Sequence, residues 1–513
     1  MEIAFDEFPS AGYALTYFDS AGRSILPQSV EKVGVAAVKQ KSNPWLGVGS
    51  DSDIHEVRSL FAKLIGCHDS SCISINSSTG FAMTLVASNV VRMGLLSNEK
   101  KVLIMDKEMG SVVYPWQEAC KATGASFKVV SDPFLSDSQK TWTEAIIEAI
   151  DASVAVLALP PVHWCSGAAI DLKMISQHIV QLPASTRPLL IVDGTQYIGA
   201  VPFDIRELAV TAVACSVHKW LNGPYGMSLL YVAPELHASW LPLDHHERGR
   251  AGSNELGWDE TIFMDKETGF YPDIPFPDAR RFDSGGKANP VTIPMVRAGL
   301  ETVLQWRPEC IEQHCRSVTD ALTAQLQSIF HSHLLLRPAQ HRTAHILGIR
   351  FNPLSPLYIA VPLVELNARL KACNVFASVR GEWLRVSVYV HNNIDQVHRF
   401  VSLFTHIAQD LYLGNTEDAN NTRTVLVTGG SGWLSQFLSH ALLPQCIPLF
   451  IDSNSSSVSS SSGSVPTRPL LRLHFAHRAV LLHWIPTAHR HCLDLCDAAA
   501  VDTLIQKLRP DVI

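Results

Sequence analysis

The chain has 513 residues, 47% hydrophobic and 17% charged, which describes a well-cored globular protein and excludes an intrinsically disordered one. Its net charge of −7 comes with no basic stripe, which argues against a nucleic-acid partner. No apolar run reaches the roughly 20 residues that a membrane helix needs, so no membrane partner is expected either. A chain of this length exceeds what one core organises, and two or three domains are expected. The acidic segment Met1 to Tyr13 lacks the basic and apolar regions of a secretory signal. Eleven cysteines, an odd number in a large chain, read as reduced thiols, so a cytoplasmic location is expected.

In chain order, Tyr17 to Ser24 reads as a strand and turn. From Asp53 to Ile65, the residues Ile54, Val57, Leu60, Phe61, Leu64 and Ile65 recur at helical spacing and lead towards a strand over Ser71 to Ile75. Asn76-Ser77-Ser78-Thr79-Gly80 then precedes a helical run from Phe81 to Val91. Small hydroxyl residues and backbone amides at a helix N-terminus form an anion site by geometry, and equally an ordinary N-cap. Val102 to Met105 is a strand, followed by the segment Glu108 to Trp116; the next βα unit ends in Leu159 to Gly167, which contains His163.

Leu189 to Val192 reads as a buried strand that delivers Asp193-Gly194-Thr195-Gln196 at its carboxyl end, the edge where ligands gather in open α/β sheets. The apolar run Ala209 to Val217 reads as another, and it leads into Lys219 and a Gly/Pro loop. An ammonium there would lose hydration, and such an amine can form a Schiff base. Residues 247–289 are rich in Gly, Asp and Pro. Val291 to Trp306 and Cys310 to Phe330 are expected helices, and Arg350-Phe351, Val375 to Ala377 and Leu384 to Val388 are expected strands.

The pair of segments Ile191 to Ile205 and Ser216 to Gly226 resembles the core of the class V aminotransferase family, whose members are fold type I pyridoxal-phosphate (PLP) enzymes. The resemblance implies an α/β fold, with a large, mostly parallel sheet domain over 1–290 and a small α+β subdomain over 291–412. It implies PLP as the cofactor, an amino acid as the substrate and a homodimer as the assembly. In that family a lysine holds the cofactor as an aldimine and an aspartate pairs with the pyridinium nitrogen, roles that fall to Lys219 and Asp193. Ser78, Thr79, Gly80, Ser216 and His218 take the positions that bind phosphate, with Ser216 and His218 expected on one face of a strand. His163 and Gln196 take those near the ring 3-hydroxyl. Met109 stands where an aromatic or histidine side chain stacks on the ring, and a thioether covers a ring face less rigidly. Gly285 and Gly286 lie in a segment that in the family reaches the partner subunit's phosphate, Gly286 replacing a common Thr. Ala21 and Gly22 match small residues near the substrate. Arg385, in the segment Leu384 to Asn392, takes the α-carboxylate, which suits its planar fork.

Cysteine desulfurases of the family carry a nucleophilic cysteine just before that arginine. Val379 to Trp383 contains none, so the chain is expected not to be a typical cysteine desulfurase. Aminotransferase or lyase chemistry through an external aldimine is the leading expectation. Epimerisation and decarboxylative carbon–carbon bond formation start from the same adduct, and a non-catalytic nucleotide-binding or scaffold protein is the alternative of another class.

Residues 413–422 are polar and read as a linker. Val425 to Leu434 is then a strand, a glycine turn and a helix start, and Asp452 closes the next strand about 20 residues beyond the glycines, as a dinucleotide fingerprint requires. Over 423–513 this resembles the N-terminal part of the extended short-chain dehydrogenase/epimerase family, a truncated Rossmann-like domain in which Gly429, Gly432 and Asp452 would contact NAD(P). The chain stops before that family's Tyr-x-x-x-Lys pair, so redox catalysis is not expected. The Ser-rich tract Ser453 to Ser464 reads as a loop. The His and Cys residues between His474 and Cys496 match no standard zinc spacing, and no metal is expected.

Overall fold

The structure, a computed structural model, describes residues 7–9, 15–43, 45, 51–136, 138, 140–250, 274–286, 289–414, 422–428, 470–477 and 490–492. In chain order it begins with β1 (Thr16–Tyr17), α1 (Gln28–Lys41), α2 (Asp51–Leu64), β2 (Ile73–Asn76), α3 (Thr79–Arg92), β3 (Lys101–Met105), α4 (Gly110–Thr123) and β4 (Ser126–Val130). Next come α5 (Trp142–Ala149), β5 (Val154–Leu159), α6 (Leu172–Gln181), β6 (Leu189–Asp193), β7 (Val210–Ser216), β8 (Ser228–Val232), α7 (Thr292–Trp306) and α8 (Pro308–Phe330). The remainder holds β9 (Leu334–Leu336), β10 (Ile346–Phe351), α9 (Leu357–Ala360), α10 (Leu363–Ala372), β11 (Val375–Phe376), β12 (Ser378–Arg380), β13 (Trp383–Ser387) and α11 (Ile394–Gly414). Three strands follow, β14 (Thr422–Thr428), β15 (Leu470–His477) and β16 (Arg490–Cys492).

The chain divides into two compact units. One comprises Met1–Pro9, Ser20–His314 and Ala339–His345; the other comprises Ser10–Asp19, Cys315–Pro338 and Ile346–Ile513. The division falls inside α8, whereas the boundary expected from sequence, 290/291, precedes α7.

The first unit carries a seven-stranded sheet in the order β2-β8-β7-β6-β5-β3-β4. It is mixed: β8 runs against both of its neighbours, while β3, β4, β5, β6 and β7 pair in parallel. The central strands are apolar along their whole length because both of their faces are covered, as in β5, buried at every residue except Ala155. On one face Val102 and Ile104, Val156 and Ala158, and Ala212 and Ala214 alternate inward and meet α3 through Ala82, Val86 and Val90 and α4 through Val112, Trp116 and Ala119. Small residues on β7 let the helices approach the sheet. Since β8 is the one reversed strand, β2 to β7 all end at a single edge, where Asn76, Met105, Leu159, Asp193 and Ser216 deliver their loops.

In the second unit β12-β13-β10-β9 forms an antiparallel sheet and β1 pairs in parallel with β11. Its core includes Phe330, Phe351, Phe400 and Phe404, whose rings pack 5.2 to 6.1 Å apart around Phe404. Strands β14, β15 and β16 form a separate parallel sheet, with Thr422 opposite Leu470. Gly429, Gly432 and Asp452 lie outside the described residues; among the described residues β14 pairs with Leu470–His477. Among the described residues no helix is long and apolar enough to cross a membrane.

Candidate active site

At the carboxyl end of β2, Ser78 caps α3 by accepting from the Phe81 amide at 3.1 Å. Ser77 and Ser78 are exposed, and Thr79 turns inward. The Thr79 hydroxyl lies 2.6 Å from Ser216 Oγ, 3.4 Å from Thr195 Oγ1 and 3.5 Å from Ser228 Oγ. The Ser216 amide donates to Thr195 Oγ1 at 3.1 Å. The ends of four strands, β2, β6, β7 and β8, are thus tied by one buried hydroxyl cluster, in which Thr195 and Ser228 were not singled out from sequence. Gly80 follows Thr79 in the first turn of α3.

The segment holding Gly285 and Gly286 lies against this turn of its own chain: the Ser77 amide donates to Ser284 Oγ at 2.8 Å, and the Ser284 amide to the Ile75 carbonyl at 2.9 Å. Gly285 is held by Asp244, which accepts its amide at 2.8 Å, and Gly286 has φ +81°, a conformation that suits glycine.

Asp193, the last residue of β6, is buried and accepts the Thr195 amide at 2.9 Å. Burial raises its carboxyl above the ordinary value; hydrogen bonds from Thr195 and the Lys219 charge oppose that rise. Strand β7 ends at Ser216, and Val217 to Lys219 is a turn. The strand alternation expected to put Ser216 and His218 on one face therefore does not extend to His218. That ring stacks on Tyr225 at 4.6 Å, and burial, with the Lys219 charge adding, pushes it down to about 4. His218 is accordingly neutral at neutral pH.

The loop carrying Lys219 is anchored by its neighbour. Trp220 is fully buried, donates from Nε1 to Gln196 Oε1 at 3.0 Å and meets the His345 ring edge-on at 4.6 Å. Gln196 Nε2 donates to the Ala21 carbonyl at 3.0 Å, and His345 Nε2 to the Gln196 carbonyl at 2.6 Å. Gly22 follows Ala21 and is half-buried. Gly199, at φ +97°, has to be glycine, since a Cβ there would sit 2.4 Å from the Trp220 carbonyl. No local signal marks His345, which lies 149 residues from Gln196.

Met109 is the N-cap of α4 and is 38% exposed, which leaves its thioether accessible at the sheet edge. Glu108 before it accepts the Met109 amide at 2.6 Å through Oε1, while Oε2 is buried. Burial, reinforced by the Asp193 charge, pushes this carboxyl up to about 8 against the Met109 hydrogen bond. Nothing in the sequence distinguished Glu108 from a surface acid. His163, expected near a cofactor oxygen, has both ring nitrogens against protein groups. Its Nε2 donates to the Asp106 carbonyl at 3.1 Å, its Nδ1 faces Ser166 Oγ at 3.0 Å, and its ring stacks on Trp142 at 5.7 Å. Both nitrogens face protein partners, so His163 latches the β3–α4 turn to the loop after β5.

In the second unit Arg385, on β13, is 1% exposed. Its Nη2 donates to Asp19 Oδ1 at 3.2 Å and to Ser378 Oγ at 3.2 Å, and Ser378 Oγ donates to Asp19 Oδ1 at 2.8 Å. The hairpin before it turns at Gly381, φ +56°, and Glu382.

These residues fit pyridoxal phosphate. The exposed Ser77-Ser78 turn at the N-terminus of α3 suits a phosphate, Asp193 is a buried acid whose charge a facing ring N–H would offset, and an amine, Lys219, stands on the same edge.

The family model for class-V aminotransferases matches residues 16–400. A probable cysteine desulfurase of Mycoplasma genitalium is 24% identical over 200 residues, 39% of this chain and 47% of that protein. Another, of Pasteurella multocida, is 23% identical over 374 residues, 70% of this chain and 79% of that protein. The chain therefore spans about half the length of the first and about four fifths of the second. Among solved structures, a C-DES mutant with glycine covalently linked to its PLP cofactor superposes with a TM-score of 0.66 at 16% identity, covering 78% of this chain and 98% of that one, and it shows the shared fold.

One expectation is corrected by these comparisons. Repeated similarity to probable cysteine desulfurases overturns the separation from that group drawn from the cysteine-free segment Val379 to Trp383. The family match ends at residue 400, so it lends nothing to the dehydrogenase-like segment. With its mixed seven-stranded sheet and smaller antiparallel one, the chain belongs to the class V aminotransferase family.

Proposed function

We propose that this chain is a PLP-dependent enzyme that acts on an amino acid by Schiff-base chemistry, and that amino acids with sulfur on the β carbon are its substrate class. The observation that carries the reading is the convergence of Asp193, the Thr79–Thr195–Ser216 hydroxyl cluster and the Lys219 turn at one sheet edge. The similarity to probable cysteine desulfurases supports the substrate class.

When bound, PLP supplies an aldehyde that condenses with an amine and a ring that accepts the electron pair left at the substrate α carbon. Ser77, Ser78 and Gly80 bind the phosphate at the start of α3, with Thr79 and Ser216 bracing the turn from behind. Asp193 holds the ring nitrogen in its protonated form, because the buried carboxylate is stabilised by that proton. Lys219 carries the reactive amine and moves the proton at the substrate α carbon. Neutral His218 adds no competing positive charge beside it. Arg385, already oriented by Asp19 and Ser378, takes the α-carboxylate.

A homodimer, a cytoplasmic location and a dinucleotide-binding role for 423–513 belong to the same proposal. The parallel pairing of β14, β15 and β16 supports the last of these. Transamination is the second reading, favoured by 29% identity over 231 residues to an uncharacterized aminotransferase of Bacillus subtilis.

The test is borohydride reduction and peptide mapping of one sample, and incubation of a separate, unreduced sample with L-cysteine. Wild-type protein should carry the trapped cofactor on Lys219 and release sulfide. Lys219→Ala should trap none, with an unchanged circular-dichroism spectrum. Full trapping in that variant would remove Lys219 from its role, and a keto acid without sulfide would select transamination.

A further inference from the structure

We propose that Tyr225 is a positioning residue of the cofactor site: its ring fixes the imidazole of His218 so that the imidazole N–H serves the cofactor phosphate. The inference rests on the PLP reading and adds a residue to it.

Between β7 and β8 the chain makes a closed turn. The Asn222 amide donates to the Lys219 carbonyl at 3.2 Å, and the Gly223 amide donates to the Val217 carbonyl at 2.9 Å. A Cβ at Gly223 would sit 3.0 Å from Val217 Cγ2, so the returning arm packs directly on the outgoing one. The Val217 amide donates to the Met227 carbonyl at 3.3 Å, which closes the loop at its base. This reversal brings Tyr225 back alongside His218, and the two rings stack with centroids 4.6 Å apart and planes 26° from parallel.

Lys219 thus stands between two residues held in different ways. Trp220 after it is fully buried and pinned by Gln196. His218 before it is half-buried and makes no hydrogen bond among the described residues, so the stack on Tyr225 is what orients its ring. Neither ring nitrogen is closed off from solvent, and both are open to a ligand. Burial and the Lys219 charge keep the ring neutral, and a neutral imidazole has one N–H donor and one acceptor. Where that single donor points is decided by the orientation of the ring. His218 lies just beyond Ser216, whose hydroxyl meets Thr79 in the first turn of α3 at 2.6 Å, so the donor stands on the same edge as the phosphate turn.

Tyr225 itself is 61% exposed and makes no hydrogen bond among the described residues. Its replacement therefore removes the stack and little else, which leaves the fold intact.

The test titrates the full-length apo protein with PLP and, separately, with pyridoxal, which lacks the phosphate. Dissociation constants are read from tryptophan fluorescence, with circular dichroism as the control for folding. Tyr225→Leu should weaken PLP binding about 2- to 10-fold, the range of an aromatic stack, and leave pyridoxal binding unchanged. Tyr225→Phe keeps the stack and should bind PLP as wild type does. In a His218→Ala background Tyr225→Leu should bring no further loss, because Tyr225 acts through that ring. A Tyr225→Leu variant that binds PLP as tightly as wild type, an equal loss for pyridoxal, or the same loss with and without His218 would overturn this inference and leave the PLP reading standing. A wild type that binds no PLP and traps none on Lys219 would overturn the PLP reading, and this inference with it.

Discussion

Under the proposed function, replacing Arg385 by Ala should separate substrate recognition from cofactor chemistry. The guanidinium is buried at 1% exposure, and one of its nitrogens is committed to Asp19 and Ser378, each at 3.2 Å. The fork is therefore oriented before any ligand arrives, and a carboxylate meets a charged donor that loses little entropy on binding. Such a pair contributes about 2–4 kcal/mol, which corresponds to a rise in KM of roughly 30- to 1,000-fold. A second effect acts on the fold. Truncation leaves Asp19 with Ser378, and because the Asp19 side chain is 19% exposed, water replaces part of the lost contact. The stability loss is then about 1–3 kcal/mol, short of the value for a fully buried pair. The assay is steady-state kinetics with an α-amino acid and with the matching amine that lacks the carboxylate, alongside cofactor absorbance and a urea midpoint. KM should rise for the amino acid alone, with cofactor content unchanged. Equal losses for both substrates, or loss of the cofactor, would refute the carboxylate role.

Glu108→Gln should reveal a pH-dependent term in the apo protein. A carboxyl raised from 4.5 to about 8 holds its proton more tightly folded than unfolded, so its stabilising contribution is complete below 4.5 and is lost as pH rises through about 8. The melting temperature of the Gln variant should gain on wild type across that window, and a constant difference would contradict the assignment. Gly199→Ala sets a Cβ against the Trp220 carbonyl at φ +97° and should destabilise by at least about 2 kcal/mol in urea, with weakened cofactor retention because Trp220 anchors the Lys219 turn. An unchanged urea midpoint would show that the loop shifts freely.

Much of the framework is legible along the chain. Periodicity alone puts helices near Asp51–Leu64, Thr79–Arg92 and Thr292–Trp306 and strands at β3 and β6, because the helical and extended repeats are properties of the local backbone. The order of the chemical segments, with Asp193 at one strand end and Lys219 beyond another, is local in the same sense. A missing cysteine in Val379 to Trp383 was a poor guide to relatedness, since one loop weighs little against similarity spread over hundreds of residues. Tertiary structure decided what touches what. It reversed β8 between β2 and β7, gathered Thr79 to Ser216 across 137 residues, paired Arg385 with Asp19 across 366, and gave both nitrogens of His163 to structural partners. It also closed Oε2 of the half-buried Glu108 off from solvent, which raises that carboxyl well above an ordinary acid. Those outcomes depend on sheet order and on the burial of distant surfaces against each other, and neither has a period that a single stretch of sequence can display.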